Sequence, residues 1–160
     1  MVLVTLKSVK IVGMYQRCKK QKLPSDKVYR ITHEKDNWYD KNVIAVKTSK
    51  HMVVAYLNRE CAVTVASLFR RNIITDTCYL ITQDEVEYDC RGPNQHCCLK
   101  FKVDEKDIKD LKRVIKFSKF EMVVSECFSH CICTYVSFKN HALIYLLTKF
   151  AKNVKISDLS

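Results

Sequence analysis

Glycine and proline are nearly missing, with two of each in 160 residues. Neither Gly13 nor Gly92 is followed by the Lys-Ser/Thr pair of a phosphate-cradling loop, which excludes ATP-driven chemistry of that type. Long apolar runs are also missing. The most apolar window, Ala142 to Leu147, falls far short of the roughly 18 residues that a spanning helix needs, and Lys7 interrupts the apolar start before a signal-peptide core could form. The expectation is a protein without membrane contact, intracellular, in nucleus or cytoplasm. Acidic residues are the scarcer charge: 17 Asp and Glu face 28 Lys and Arg, a net +11, so the surface potential favours an anionic partner, nucleic acid first. What is present suffices for folding. Hydrophobic residues make up 48% and aromatics 10%, enough to close one core in a chain of single-domain length and too apolar for disorder.

Nine cysteines, an odd count without an export signal, point to reduced thiols rather than a disulfide framework. Cys61 and Cys78 sit among apolar neighbours and read as small core residues. Two clusters carry metal-ligating types: Cys90, His96, Cys97 and Cys98, and then Cys127, His130, Cys131 and Cys133. Neither has the paired spacing of a structural zinc site, because adjacent Cys97 and Cys98 point to opposite faces of a strand and the second cluster lacks a second pair. No metal, cofactor or catalytic residue is therefore assigned. A zinc-dependent or cysteine-based enzyme stays a third-ranked reading.

The positive charge is unevenly placed. Residues 1–50 carry 12 basic and 4 acidic side chains, a net +8, whereas residues 51–103 carry 6 of each. Arg17, Lys19, Lys20 and Lys22 before Pro24 read as a loop, open to two meanings: a solvated or nuclear-import segment, or an arm that tracks phosphates.

The first two thirds read as β, from short runs rich in Val, Ile, Thr and Tyr: Lys10 to Tyr15, Val28 to His33, Val43 to Thr48, Met52 to Leu57, Thr77 to Thr82 and Cys98 to Val103. Asn58 reads as the N-cap of a helix over Arg59 to Arg71, with Ala62, Val65, Ala66 and Phe69 on the face that covers an open end of the sheet. Arg91-Gly92-Pro93-Asn94 is a turn signal between the last two strands. From Asp104 the pattern turns helical, acidic at its start and basic at Lys112, Arg113 and Lys116, with Ile108, Leu111 and Ile115 as its stripe. Glu121 to Phe138 is ambiguous and favours strand, and Asn140 to Asn153 reads as a helix. The layout is α+β: a β-rich domain over residues 1–103 with one internal helix, then a mostly helical extension over residues 104–160.

The most informative stretch is Glu34 to Val46, which places Asn37, Trp38, Tyr39, Asp40 and Lys41 just before a strand. Aromatic rings can stack on unpaired bases, and Asn37 and Asp40 can hydrogen-bond base edges or a sugar hydroxyl. The competing reading has Trp38 or Tyr39 plugging the end of the sheet while Asp40 caps a turn.

The run Asn37-x-Tyr39-Asp40-x-Asn42-x-Ile44-x-Val46, followed by Val54-Ala55-Tyr56-Leu57-Asn58-Arg59-Glu60-x-Ala62, resembles the two signatures of the HIRAN domain. Ile11-Val12-Gly13-Met14-Tyr15 is similar to that family's first strand, which puts the likeness at about residues 9–103. The resemblance implies an OB-like or SH3-like β-barrel that binds DNA, without catalysis, as a module of replication or repair. It further implies capture of single-stranded DNA at its 3′-hydroxyl end. Stand-alone copies occur in viruses and microbes, and this chain is expected to be one of them. By position, Tyr15 or Gln16 would lie beside the terminal nucleotides, an aromatic of the Asn37–Asp40 loop would stack on a base, and Asp40 would accept from the 3′-hydroxyl. Tyr56, Asn58 and Arg59 would hold phosphates, with Arg17 and Lys41 adding cations. Where the family has glycine and two prolines, this chain has Ala55, Asn58 and Lys35. The alternative is a regulatory factor in which the core is a scaffold and Leu143, Leu147 and Phe150 of the last helix dock a protein partner.

Overall fold

The computed structural model describes residues 1–75 and 77–126. Its elements are β1 (Val2–Val12), α1 (Met14–Cys18), β2 (Val28–His33), β3 (Ile44–Lys47), β4 (Val53–Leu57) and α2 (Arg59–Arg70). They are followed by β5 (Tyr79–Asp89), β6 (Gly92–Val103), a 3₁₀ turn (Glu105–Asp107), α3 (Ile108–Ile115) and β7 (Glu121–Glu126).

Every strand pairing is antiparallel, in the order β4-β3-β2-β5-β6-β1-β7. A further pairing joins β4 to β1 through Ile11↔Leu57 and Val12↔Tyr56, so hydrogen bonding runs from β1 through the first six strands and back to β1. β1 can serve β4, β6 and β7 because it is long and irregular. Its register with β6 shifts between Leu6 and Val9, where Ser8 takes φ 62°. Alternation along β1 sends Val2, Val4, Leu6, Val9 and Ile11 into the core. There they meet Ile31, Leu80, Leu99 and Phe101, each fully buried aliphatic side chain contributing about 1.5–3 kcal/mol.

Helix α2 begins as its sequence requires. Asn58 Oδ1 accepts from the Cys61 amide at 3.0 Å, and the Asn58 amide donates to the Lys10 carbonyl at 2.9 Å, which anchors the helix start beside β1. At the other end the Phe69 ring stacks on His33 at 5.7 Å, and Arg70 donates to Asn42 Oδ1 at 3.0 Å. The helix thus runs from the β1–β4 side of the circuit to the β2–β3 side, burying Cys61, Ala62, Val65, Ala66 and Leu68. Cys61 and Cys78 are core residues. Cys97 is buried and its neighbour Cys98 half-buried, on opposite faces of β6.

Three expectations need correction. The first strand starts at Val2 and stops at Val12, and Met14–Cys18 is a helical turn, so Tyr15 and Gln16 are not on a strand. Gly13 makes the break: its φ is 79°, which suits glycine, and a Cβ there would stand 3.6 Å from Tyr56 Cδ2. The last two strands of the core are longer than expected, extending as a ribbon to Asp89↔Gly92 around Cys90 and Arg91, so the turn residues Gly92, Pro93 and Asn94 lie inside β6. Beyond residue 103 the helix starts only at Ile108, after the 3₁₀ turn, and β7 then rejoins the sheet on β1, from Val2↔Glu126 to Lys7↔Glu121. The expected helix over Asn140 to Asn153, the strand reading beyond Glu126 and the second Cys/His cluster lie outside the described residues. Among the described residues no helix is long and apolar enough to cross a membrane.

Candidate nucleic-acid interface

The connection between β2 and β3 is built from its own polar side chains. Glu34 and Val43 close its neck, with the Glu34 amide donating to the Val43 carbonyl at 2.9 Å. Asn37 Oδ1 accepts from the amides of Tyr39 and Asp40 at 3.0 and 3.2 Å, and Asn37 Nδ2 donates to Glu34 Oε2 at 3.0 Å. Asp40 Oδ1 accepts from the Asn42 amide at 2.8 Å, and His33 Nε2 donates to the Lys41 carbonyl at 2.7 Å. Two successive Asx turns therefore fix the backbone on either side of Trp38 and Tyr39. The two rings are 90% and 93% exposed, which overturns the reading of either as a plug. Asp40 is half-buried, and its Oδ2 has no hydrogen-bond partner among the described residues.

A second group forms where α1 packs on β4. The Arg17 guanidinium lies over the Tyr56 ring at 4.9 Å and donates to the Tyr56 hydroxyl, while Lys19 Nζ lies 5.5 Å from the centre of the half-exposed Tyr15 ring. Gln16 is exposed beside them. Arg59 is exposed on the first turn of α2, and the Asn58 oxygen is committed to the cap. Tyr56 pairs with Ala45, two residues from the loop's end at Val43, or about 7 Å along the strand. Arg59 and Arg70 are 11 residues apart on α2, about 16 Å of helix, and it is Arg70 that reaches the loop. The structure thus sorts the expected residues into a loop group (Asn37 to Lys41), an α1–β4 group (Tyr15, Gln16, Arg17, Tyr56) and a helix-start pair (Asn58, Arg59).

Much of the basic first third is unpaired. Arg17, Lys19, Lys20, Lys35, Lys41 and Lys50 form no ion pair among the described residues. Lys22 is the exception in its segment: it and Ser25 bond to Asp84 Oδ1 at 2.5 and 3.0 Å, and the Lys22 bond holds the Asp84 carboxyl below its usual range. On the sheet, Lys10 bonds to Glu87 Oε2 at 2.5 Å, which raises the Lys10 ammonium and lowers the Glu87 carboxyl from their ordinary values. Burial pushes the Cys61 thiol up to about 11 and the Cys97 thiol further still, so neither supplies a thiolate near neutral pH.

Two contacts were not among the expected ones. Lys19 beside Tyr15 carried a signal, the spacing of four that brings side chains together on a helical turn. Gln95 carried none that a single sequence displays, although it fastens the basic segment: fully buried, it accepts from the Leu23 amide at 2.7 Å and donates to the Leu23 and Gln83 carbonyls at 2.9 and 2.7 Å.

The sequence pattern of the HIRAN domain matches residues 5–101, more than half of the chain. The chain belongs to the HIRAN domain family. Among solved structures it is similar to the HIRAN domain of human HLTF, with a TM-score of 0.52 and 16% identity over 71% of this chain and 90% of that one. That likeness shows a shared fold for the HIRAN domain. A protein from Lactobacillus plantarum is also similar, with a TM-score of 0.46 and 21% identity over 62% of this chain and 97% of that one. No curated protein matches the sequence. HIRAN domains are known for binding DNA.

Proposed function

We propose that this HIRAN domain is a non-enzymatic DNA-binding module in which the closed strand circuit acts as a small OB-like barrel and the β2–β3 loop engages single-stranded DNA. The observation that carries the reading is the pair of adjacent rings, Trp38 and Tyr39, 90% and 93% exposed on a loop whose backbone is fixed by Asn37 and Asp40. Two large aromatics held in water at a rigid tip contribute nothing to the core, and unstacked bases are ligands suited to such faces. Arg17, Lys19, Lys20 and Lys41 supply cations for the phosphates, and Tyr15, Gln16, Tyr56 and Arg59 extend the surface along α1, β4 and the start of α2. Asn58 belongs to this surface through its amide nitrogen, its oxygen serving the helix cap.

Asp40 carries the finer part of the reading, selection of a 3′-hydroxyl end. A carboxylate only accepts hydrogen bonds, so Oδ2 can take a terminal hydroxyl and repels a terminal phosphate. Because Asp40 Oδ1 also holds the Asn42 amide, Asp40→Asn is the informative substitution: its amide oxygen keeps that turn while the charge is lost. Fluorescence anisotropy with strands that differ only at the terminus should show wild type preferring 3′-hydroxyl over 3′-phosphate by about tenfold, on the order of 1.4 kcal/mol, and Asp40→Asn losing most of that preference. Equal binding of both ends by wild type would refute end selection and leave strand binding standing.

A further inference from the structure

We propose that Glu85, Glu87 and His96 form a binding site for one divalent transition-metal ion of the zinc class. Glu85 and Glu87 lie two residues apart on β5, and His96 lies on the neighbouring β6, where it pairs with Lys10 of β1. One ligand atom from each of the three lies within 4.8 Å of the others. Both ring nitrogens of His96 face a carboxylate: Nε2 stands 2.9 Å from Glu87 Oε1 and Nδ1 stands 3.9 Å from Glu85 Oε2. Ligand atoms about 2.1 Å from a tetrahedral ion are about 3.4 Å apart, and an ion takes one ring nitrogen, so closing the cluster requires side-chain rotations that bring both carboxylates to the same nitrogen of His96. The two carboxylates can make them, since their side chains are 68% and 52% exposed, whereas His96 is 13% exposed and fixed on a strand paired on both sides.

The donor set chooses the ion. One imidazole with two carboxylates favours zinc or its first-row neighbours over magnesium and calcium, which want oxygen throughout. Three protein ligands leave a coordination position open to water. His96 and Glu87 lie on the wall of a cleft of about 500 Å³, which that position could face. The resident cation is Lys10, whose ammonium holds Glu87 Oε2, so an arriving ion replaces Lys10 on that carboxylate and releases its ammonium at the cleft wall.

The test is titration of the full chain with cobalt(II), followed by calorimetry and absorption, then by competition with zinc(II). Wild type should bind one ion through this site without a thiolate-to-cobalt charge-transfer band. His96→Ala and Glu85→Gln should each weaken that binding by at least about tenfold, and Lys10→Met should tighten it severalfold. Circular dichroism of each variant confirms the fold. Absence of binding by wild type, unchanged affinity in His96→Ala and Glu85→Gln, or binding that appears only with a thiolate band would each overturn the site.

Discussion

Replacing Trp38 and Tyr39 together by alanine should weaken single-stranded DNA binding by at least about thirtyfold while leaving the melting temperature where it is. Base–aromatic stacking is worth about 1–3 kcal/mol per base, so two engaged rings account for about 2 kcal/mol at the least. Stability should shift by no more than about 0.5 kcal/mol, because both rings stand in water and the backbone beneath them is held by Asn37 and Asp40 rather than by the rings. The two measurements separate a contact role from a folding role. Anisotropy titration of the double variant, with a thermal melt on the same sample, checks both. Affinity retained within about a factor of two would remove the loop from the interface, since a stacked pair cannot be lost so cheaply.

Gln95→Leu should produce the opposite pattern, a large loss of stability from a change of nearly constant volume. The substitution leaves the buried Leu23 amide and carbonyl, and the less buried Gln83 carbonyl, without their partner, and each unsatisfied buried group costs about 1–3 kcal/mol. A total of about 3 kcal/mol or more corresponds to a fall in melting temperature of roughly 6–12 °C for a domain of this size. The segment between α1 and β2, which carries Lys20 and Lys22, would lose its buried anchor at the same time. A melting temperature within about 2 °C of wild type would show that water satisfies these groups and that Gln95 is no fastener.

The two signatures around Asn37–Val46 and Val54–Ala62 were legible because each is local: an Asx-turn loop entering a strand, and a strand ending in a capped helix. Asn58 illustrates this. Its side chain does what an N-cap residue does wherever the chain exposes a helix start, so no tertiary knowledge was needed. The end of β1 was misread because apolar residues continue through Met14 and Tyr15 while the decisive fact is the left-handed conformation of Gly13, which periodicity does not register. The acidic run Asp84 to Asp89 hid the far half of β5. Its pairing with β6 is a ribbon stabilised by cross-strand bonds such as His96 to Glu87, and its four acidic residues outweigh the short apolar alternation of Val86 and Tyr88. Trp38 and Tyr39 could be ranked as candidates from the sequence, but only their exposure excludes the plug. The links between Lys22 and Asp84 and between Gln95 and Leu23 join residues more than 60 positions apart and exist only once the sheet has closed.

In the proposed function, the cations of the first 50 residues that form no ion pair among the described residues would give affinity that any strand can use, whereas the loop would supply preference for unstacked bases and, through Asp40, for a hydroxyl end. The measurement that bears most directly on the whole is the affinity of the full chain for a labelled single-stranded oligonucleotide over a series of salt concentrations. The predicted result is saturable binding whose log K falls linearly with log salt, with a slope of about −0.7 for each phosphate neutralised and at least about three phosphates engaged. Absence of saturable binding at low salt, or affinity that does not change with salt, would contradict a DNA-binding role for this HIRAN domain.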